Sequence, residues 1–180
     1  VCVIGAMLLI SGCVMAPRWS DGYARLPSPG RADVDRSFAI SIGPSLIRLA
    51  ARFMDDEPET QALLRSIDGV RVRVYEVTGD AGRVADNIGI ASRALVERDW
   101  ERVALIREDD EAVHMLVKVS AAGTIRGLTV LAADSEEVVM VNVMGDLDPA
   151  VFGEAMAALD IDAAPQIALA PVGEEGVGAG

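Results

Sequence analysis

Histidine occurs once in this chain, lysine once, and cysteine twice, with both cysteines among the first thirteen residues. Aromatic residues make up only 4% of the 180 positions. Each scarcity removes a class of function. A multi-histidine metal centre cannot be built around His114 alone, and a Ser-His triad needs further partners held at fixed geometry. A sugar-cleaving cleft is usually rich in aromatics, and few are available here. Basic residues are also short, 16 against 28 acidic ones, for a formal charge of −12. That balance argues against nucleic acid as a partner and against electrostatic docking on anionic lipid. The basic set is fifteen arginines plus Lys118, which reads as coding bias. Apolar residues still reach 51%, so an aliphatic core is affordable.

Long apolar runs are missing too, except at the start. Val1 to Ala16 carries no charge, and Arg18 and Asp21 end the run before the roughly 20 residues that a membrane span needs. Within it, Ile10-Ser11-Gly12-Cys13 has the spelling of a lipobox. The small pair Ser11-Gly12 suits a peptidase that admits compact side chains. The expectation is a lipoprotein signal over residues 1–12, cleavage between Gly12 and Cys13, and lipid attachment at Cys13. An ordinary secretory cut after Ala16, disfavoured by Pro17, and a short uncleaved anchor are the alternatives. A basic n-region is expected of such a leader. Its absence, with Val1 at the start, implies missing N-terminal residues. Several acyl chains would hold Cys13 stably, where one is marginal. With Cys2 removed and Cys13 acylated, no disulfide framework remains.

Residues 13–36 mix Pro17, Pro27, Pro29, Gly22 and Gly30 with charges, and are expected to form a flexible tether behind the lipidated cysteine. Residues 161–180 lack periodicity and are expected to be disordered. The globular domain is placed at residues 37–160. Ser37–Ile42 alternates as a strand. Pro44 opens a helix with Leu46, Leu49, Ala50 and Phe53, and a second helix spans Pro58–Ile67. Val70–Val77 is a strand, followed by a helix carrying Val84, Ile88, Ala91 and Leu95 and ending near Asp99. Four closely spaced strands follow over Trp100–Arg107, Ala112–Ser120, Ile125–Ala132 and Glu137–Met144. Asp148-Pro149 then opens a last helix with Val151, Phe152, Ala155, Met156 and Leu159. The fold class is α+β: two layers, a largely antiparallel sheet made of a four-stranded C-terminal meander plus two earlier strands, and about four helices. One tension remains. Val138–Met144 is apolar on both faces, whereas a sheet open to water on one side should alternate.

Phe53-Met54-Asp55-Asp56-Glu57-Pro58-Glu59, Gly69–Val77, Trp100-Glu101-Arg102-Val103 and Val141–Pro149 together resemble the bacterial domain of unknown function 4252 family, over roughly residues 38–160. The resemblance implies a small envelope protein with a lipoprotein signal, often encoded near extracytoplasmic-function sigma-factor systems. It implies no activity and carries over no catalytic residue.

Other motifs have plain structural readings. His114 shares a strand face with Leu116 and Lys118 and is expected to be structural or solvent-facing. Asp55-Asp56-Glu57 reads as a helix start and Glu108-Asp109-Asp110-Glu111 as a hairpin tip, because neither has the spacing of a calcium loop. Gly79-Asp80-Ala81-Gly82 lacks the Gly-Lys-Ser/Thr ending of a phosphate loop and reads as a turn with a cap. Met54, Met115, Met140, Met144 and Met156 are expected to fill the core. No catalytic, metal or cofactor-binding residue is assigned. The expected function is a membrane-anchored, non-enzymatic binding or regulatory module with an envelope protein partner. A carrier or sensor of an apolar ligand such as lipid is the alternative, and an uncharacterised enzyme the third. Val14 after Cys13, rather than Asp, points to the periplasmic face of the outer membrane.

Overall fold

The structure, a computed structural model, describes residues 15–53, 58–108 and 111–150. Its frame is a six-stranded antiparallel sheet. The strands are β1 (Val34–Ile42), β2 (Ile67–Val77), β3 (Glu101–Glu108), β4 (Glu111–Val119), β5 (Ile125–Ala133) and β6 (Glu137–Leu147), in spatial order β1-β2-β6-β5-β4-β3. Three helices occur among the described residues: α1 (Pro44–Ala51), α2 (Pro58–Ser66) and α3 (Ala81–Val96). The α+β class therefore holds. Strands β3 to β6 form the expected meander. The earlier pair joins it where β2 docks on β6. Strand β6 runs past Met144 to Leu147, because Gly145 lets the backbone pass Ser66 and Ile67 where a Cβ would collide. The helix expected over Val151–Leu159, the tail at 161–180 and residues 1–14 lie outside the described residues.

Strand alternation and register place Tyr75, Val138, Met140, Leu131 and Leu116 on one face of the sheet. Helix α3 packs there with Val84, Ile88, Ala91 and Leu95, each no more than 2% exposed. Burying a side chain of this size is worth about 1.5–3 kcal/mol in gross transfer free energy. Asp80 caps the helix by accepting the Arg83 N–H at 3.0 Å. At the far end Asp99 takes a left-handed φ of 63°, and the Trp100 N–H reaches back to the Leu95 carbonyl. This confirms Gly79–Gly82 as a turn plus cap.

The main correction concerns the tether. Its described part does not hang free: residues 15–33 lie against the same face as α3. Ala24 is 1% exposed and Ala16 5%. Backbone that would otherwise need water is satisfied by Asn142 on β6. Asn142 Oδ1 accepts the Ala24 N–H at 3.0 Å, while its Nδ2 donates to the carbonyls of Gly22 at 3.0 Å and Leu128 at 3.1 Å. Gly22 and Gly127 let the two backbones touch, since a Cβ on Gly22 would fall into the Arg126 carbonyl. The arginines of β2 are covered as well. Arg73 donates to the Leu26 carbonyl at 3.2 Å, and Arg71 lies 5.2 Å from the Tyr23 ring centroid. Asp33 fixes the end of the segment by accepting from Arg83 at 2.6 Å and from the Asp80 N–H at 3.2 Å. The backbone N–H of Asp80, then Arg83, holds its carboxyl below the usual range.

The opposite face holds the remaining apolar residues of β6, which are half-buried. Val139, Val141 and Val143 alternate with Val138, Met140, Asn142 and Met144, and so point to the other side. The register aligns them with Val70, Val72 and Val74 of β2 and with Leu128, Val130 and Ala132 of β5. Helix α2 brings Leu63 onto one end of this face, beside Leu128 and Val143. Farther out, Phe38 and Ile40 on β1 are 51% and 41% exposed.

Replacing Asn142 with Leu should lower stability by roughly 2–4 kcal/mol, because a buried N–H and two carbonyls lose their partners. Urea unfolding measures the loss. Asn142→Asp should cost more, since it sets a carboxylate against the Gly22 and Leu128 oxygens. In both variants Arg25 and Arg31 should become open to trypsin before the sheet unfolds.

Candidate functional site

The residues singled out in the sequence fall into three groups. Gly12 and Cys13 lie outside the described residues, as do Asp55-Asp56-Glu57, Met54 and Met156. A second group is structural. Glu108 and Glu111 face each other across the β3–β4 connection, at the hairpin end where they were expected. Met115, Met140 and Met144 are core residues, at most 7% exposed. Asp148 caps the next turn by accepting the Ala150 N–H at 2.8 Å. Asp146, which carried no expectation, pairs with Arg126 at 2.6 Å. That contact holds the Asp146 carboxyl low and the Arg126 guanidinium high. Among the described residues, no three His, Cys, Asp or Glu side chains are grouped to hold a metal ion.

His114 belongs to the third group, where the structure is more specific than the sequence. It is 4% exposed, and neither ring nitrogen has a hydrogen-bond partner among the described residues. It stands between Leu105 and Leu131 in the register. Arg102 lies nearby but is engaged by the Ser92 hydroxyl at 3.0 Å. Burial pushes the imidazole pKa below its ordinary 6.5, and the charges of Arg102, Arg107 and Arg93 push the same way. His114 is therefore a neutral core residue, and the solvent-facing alternative is excluded.

Among the described residues, large apolar side chains are exposed on both edge strands, Leu105 and Ile106 on β3 and a larger set on β1 and the α1 segment that follows it. Among the described residues strand β1 pairs only with β2, so its outer backbone groups have no strand partner there. On it Phe38 and Ile40 are exposed. Leu46 and Leu49 on α1 are 43% and 49% exposed, and Phe53 just beyond is 82% exposed. Five large apolar side chains within one sixteen-residue stretch thus remain in contact with water. Ile47 and Ala51 take the buried side of α1 instead. The helical spacing in the sequence marked Leu46, Leu49 and Phe53 as an apolar stripe. It did not reveal that the stripe faces outward. An open cleft of about 580 Å³ forms where Met15, Pro17 and exposed Trp19 meet Pro44, Asp68 and Arg126.

His114 gives a pH dependence of defined sign. Its folded pKa is lower than its unfolded value, so the unfolded chain binds the proton more readily. Stability is full above about pH 6.5 and is lost as pH falls from there toward the folded value. His114→Leu should remove this component. Urea unfolding at pH 8 and pH 5 should show a larger acid loss for the native chain than for the variant. An equal loss in both would show that His114 carries no linkage.

No curated protein and no solved structure matches the chain. A family model described as a domain of unknown function (DUF4252) matches residues 32–154, from the start of β1 past the end of β6. That span contains the whole sheet and all three helices, and the chain belongs to this family.

Proposed function

We propose that this chain is an envelope lipoprotein held at a membrane through acylated Cys13, and that it acts as a non-enzymatic binding or regulatory module. The partner is a protein that lays an extended apolar segment along β1. The observation that carries this reading is the outer edge of β1, which has no strand partner among the described residues, with Phe38 and Ile40 exposed on that strand and Leu46, Leu49 and Phe53 exposed on the segment that follows it. Strand addition to such an edge supplies main-chain hydrogen bonds, and apolar side chains supply selectivity. Shifted titrations here have structural causes: the Asp80 N–H and then Arg83 for Asp33, ion pairs for Arg83, Asp146 and Arg126, and burial first for Arg71 and His114. A regulatory role fits the sigma-factor neighbourhoods that the family resemblance implies. The region Val151–Leu159 is read as a fourth helix that completes a two-layer domain. A second reading, a carrier of an apolar ligand, draws on the valine-lined second face of the sheet. The residue after Cys13 favours the outer membrane.

Two experiments test this reading. Cys13→Ser should abolish palmitate incorporation and move the protein from the membrane to the soluble fraction. Retention of label would show that another residue is acylated. A photocrosslinker at Ile40, in intact envelopes, should trap one discrete adduct that Phe38→Asp removes. The same group at exposed Ile90 on α3 should trap none. Equal trapping at both positions would defeat a β1-specific contact.

A further inference from the structure

Acidic residues outnumber basic ones in this chain, yet one cleft reverses the balance. At the C-terminal end of α3 an open cleft of about 310 Å³ is lined by Arg18, Arg25, Arg98 and Lys118 and by no acidic side chain. The four cations come from three parts of the chain: the N-terminal segment, the end of α3, and β4. Among the described residues none of them is in an ion pair, whereas Arg83 and Arg126 are. Lys118 uses one N–H on the Arg98 carbonyl at 2.9 Å, and its ammonium has two more. Trp100, 3% exposed, and half-buried Tyr23 supply the apolar part of the lining. Like charges kept together without counterions repel one another. A bound anion would relieve it.

We infer that this cleft is an anion site for a phosphate-bearing group. Guanidinium forks match phosphate oxygens in pairs, and an ammonium adds a point charge. The volume is at the low end of the ~300–1,000 Å³ usual for small-molecule sites, which suits a phosphate with little attached to it. Positive charge continues behind the lining, because Arg71 lies 5.2 Å from the ring centroid of Tyr23. The phosphate has two possible sources, a free phosphate compound or a phospholipid headgroup. Only the headgroup source rests on the acylation of Cys13. Five residue steps lead from Cys13 to Arg18, a reach of at most about 18 Å.

The test uses the full chain carrying Cys13→Ser, compared with the same chain carrying Arg25→Gln and Arg98→Gln. Both arginines are exposed, so the core is untouched. Calorimetric titration with inorganic phosphate should show saturable binding that the double variant weakens at least tenfold. Arg48→Gln with Arg52→Gln, on and beside α1, should change nothing. In parallel, cosedimentation compares phosphatidylcholine vesicles with vesicles containing phosphatidylglycerol. The apolar leader contributes equally to both, so the difference reports the headgroup. Phosphate saturation supports a free-phosphate source. A phosphatidylglycerol preference lost in the double variant supports the headgroup. If neither measurement distinguishes the double variant from its parent, the site is overturned. Palmitate labelling of Cys13 is scored separately, so its failure leaves the cleft standing.

Discussion

One buried carboxamide organises one side of this protein. Asn142 sits within the apolar run Val138–Met144 of β6, where an unpaired amide would cost several kcal/mol. Its cost is offset because both ends of the amide are engaged by a segment more than a hundred residues away. That exchange is mutual. An irregular segment rich in proline and glycine cannot satisfy its own backbone, and one that lies on a sheet face also loses water. Asn142 supplies a donor and an acceptor at the point of closest approach, and Gly22 and Gly127 remove the steric barrier to it.

Much else follows from that docking. Helix α3 stands over β3, β4 and β5. The strip above β2 and β6 is left for residues 15–33, under which Arg71 and Arg73 are half-buried without apolar replacements. Tyr23 and the Leu26 carbonyl receive the two guanidinium groups. The segment also carries Arg18 and Arg25 to the end of α3, where the local charge departs from the net charge. A formal −12 describes attraction at long range. It says little about a cleft whose lining is drawn from three separate stretches.

The elements were largely legible because their periodicity is clean. Val70–Val77 and the stripe Val84, Ile88, Ala91, Leu95 have the same strand and helix assignments in sequence and in structure. The sheet order required only short connections among the last four strands. The role of residues 15–33 was not legible, because proline, glycine and mixed charge look alike in a linker and in a docked segment. The difference lies in the partner. One signal was available: Asn142 is the only polar residue between Val138 and Met144, and a buried amide demands partners. The exposed apolar stripe of α1 was equally hidden, since helical spacing marks a face but not what covers it. His114 could be placed on a strand face, but its burial depends on α3 and β3.

The docked segment also changes how the domain would sit on a membrane. A free tether over residues 13–36 would span several tens of ångströms and let the domain stand off. With Ala16 buried and its N–H bonded to the Ser41 hydroxyl at 3.1 Å, only Val14 and Met15 separate it from Cys13. Three residue steps reach about 10 Å at most. An acylated Cys13 would then hold the domain directly against the headgroups, with the N-terminal segment and the end of α3 on the near side. Strand β1 forms one edge of the sheet, and the register of β1 with β2 places Phe38 and Ile40 on the face opposite that segment. A short, docked connection would therefore fix which surfaces meet the membrane and which meet a protein partner, an orientation that a flexible tether could not impose.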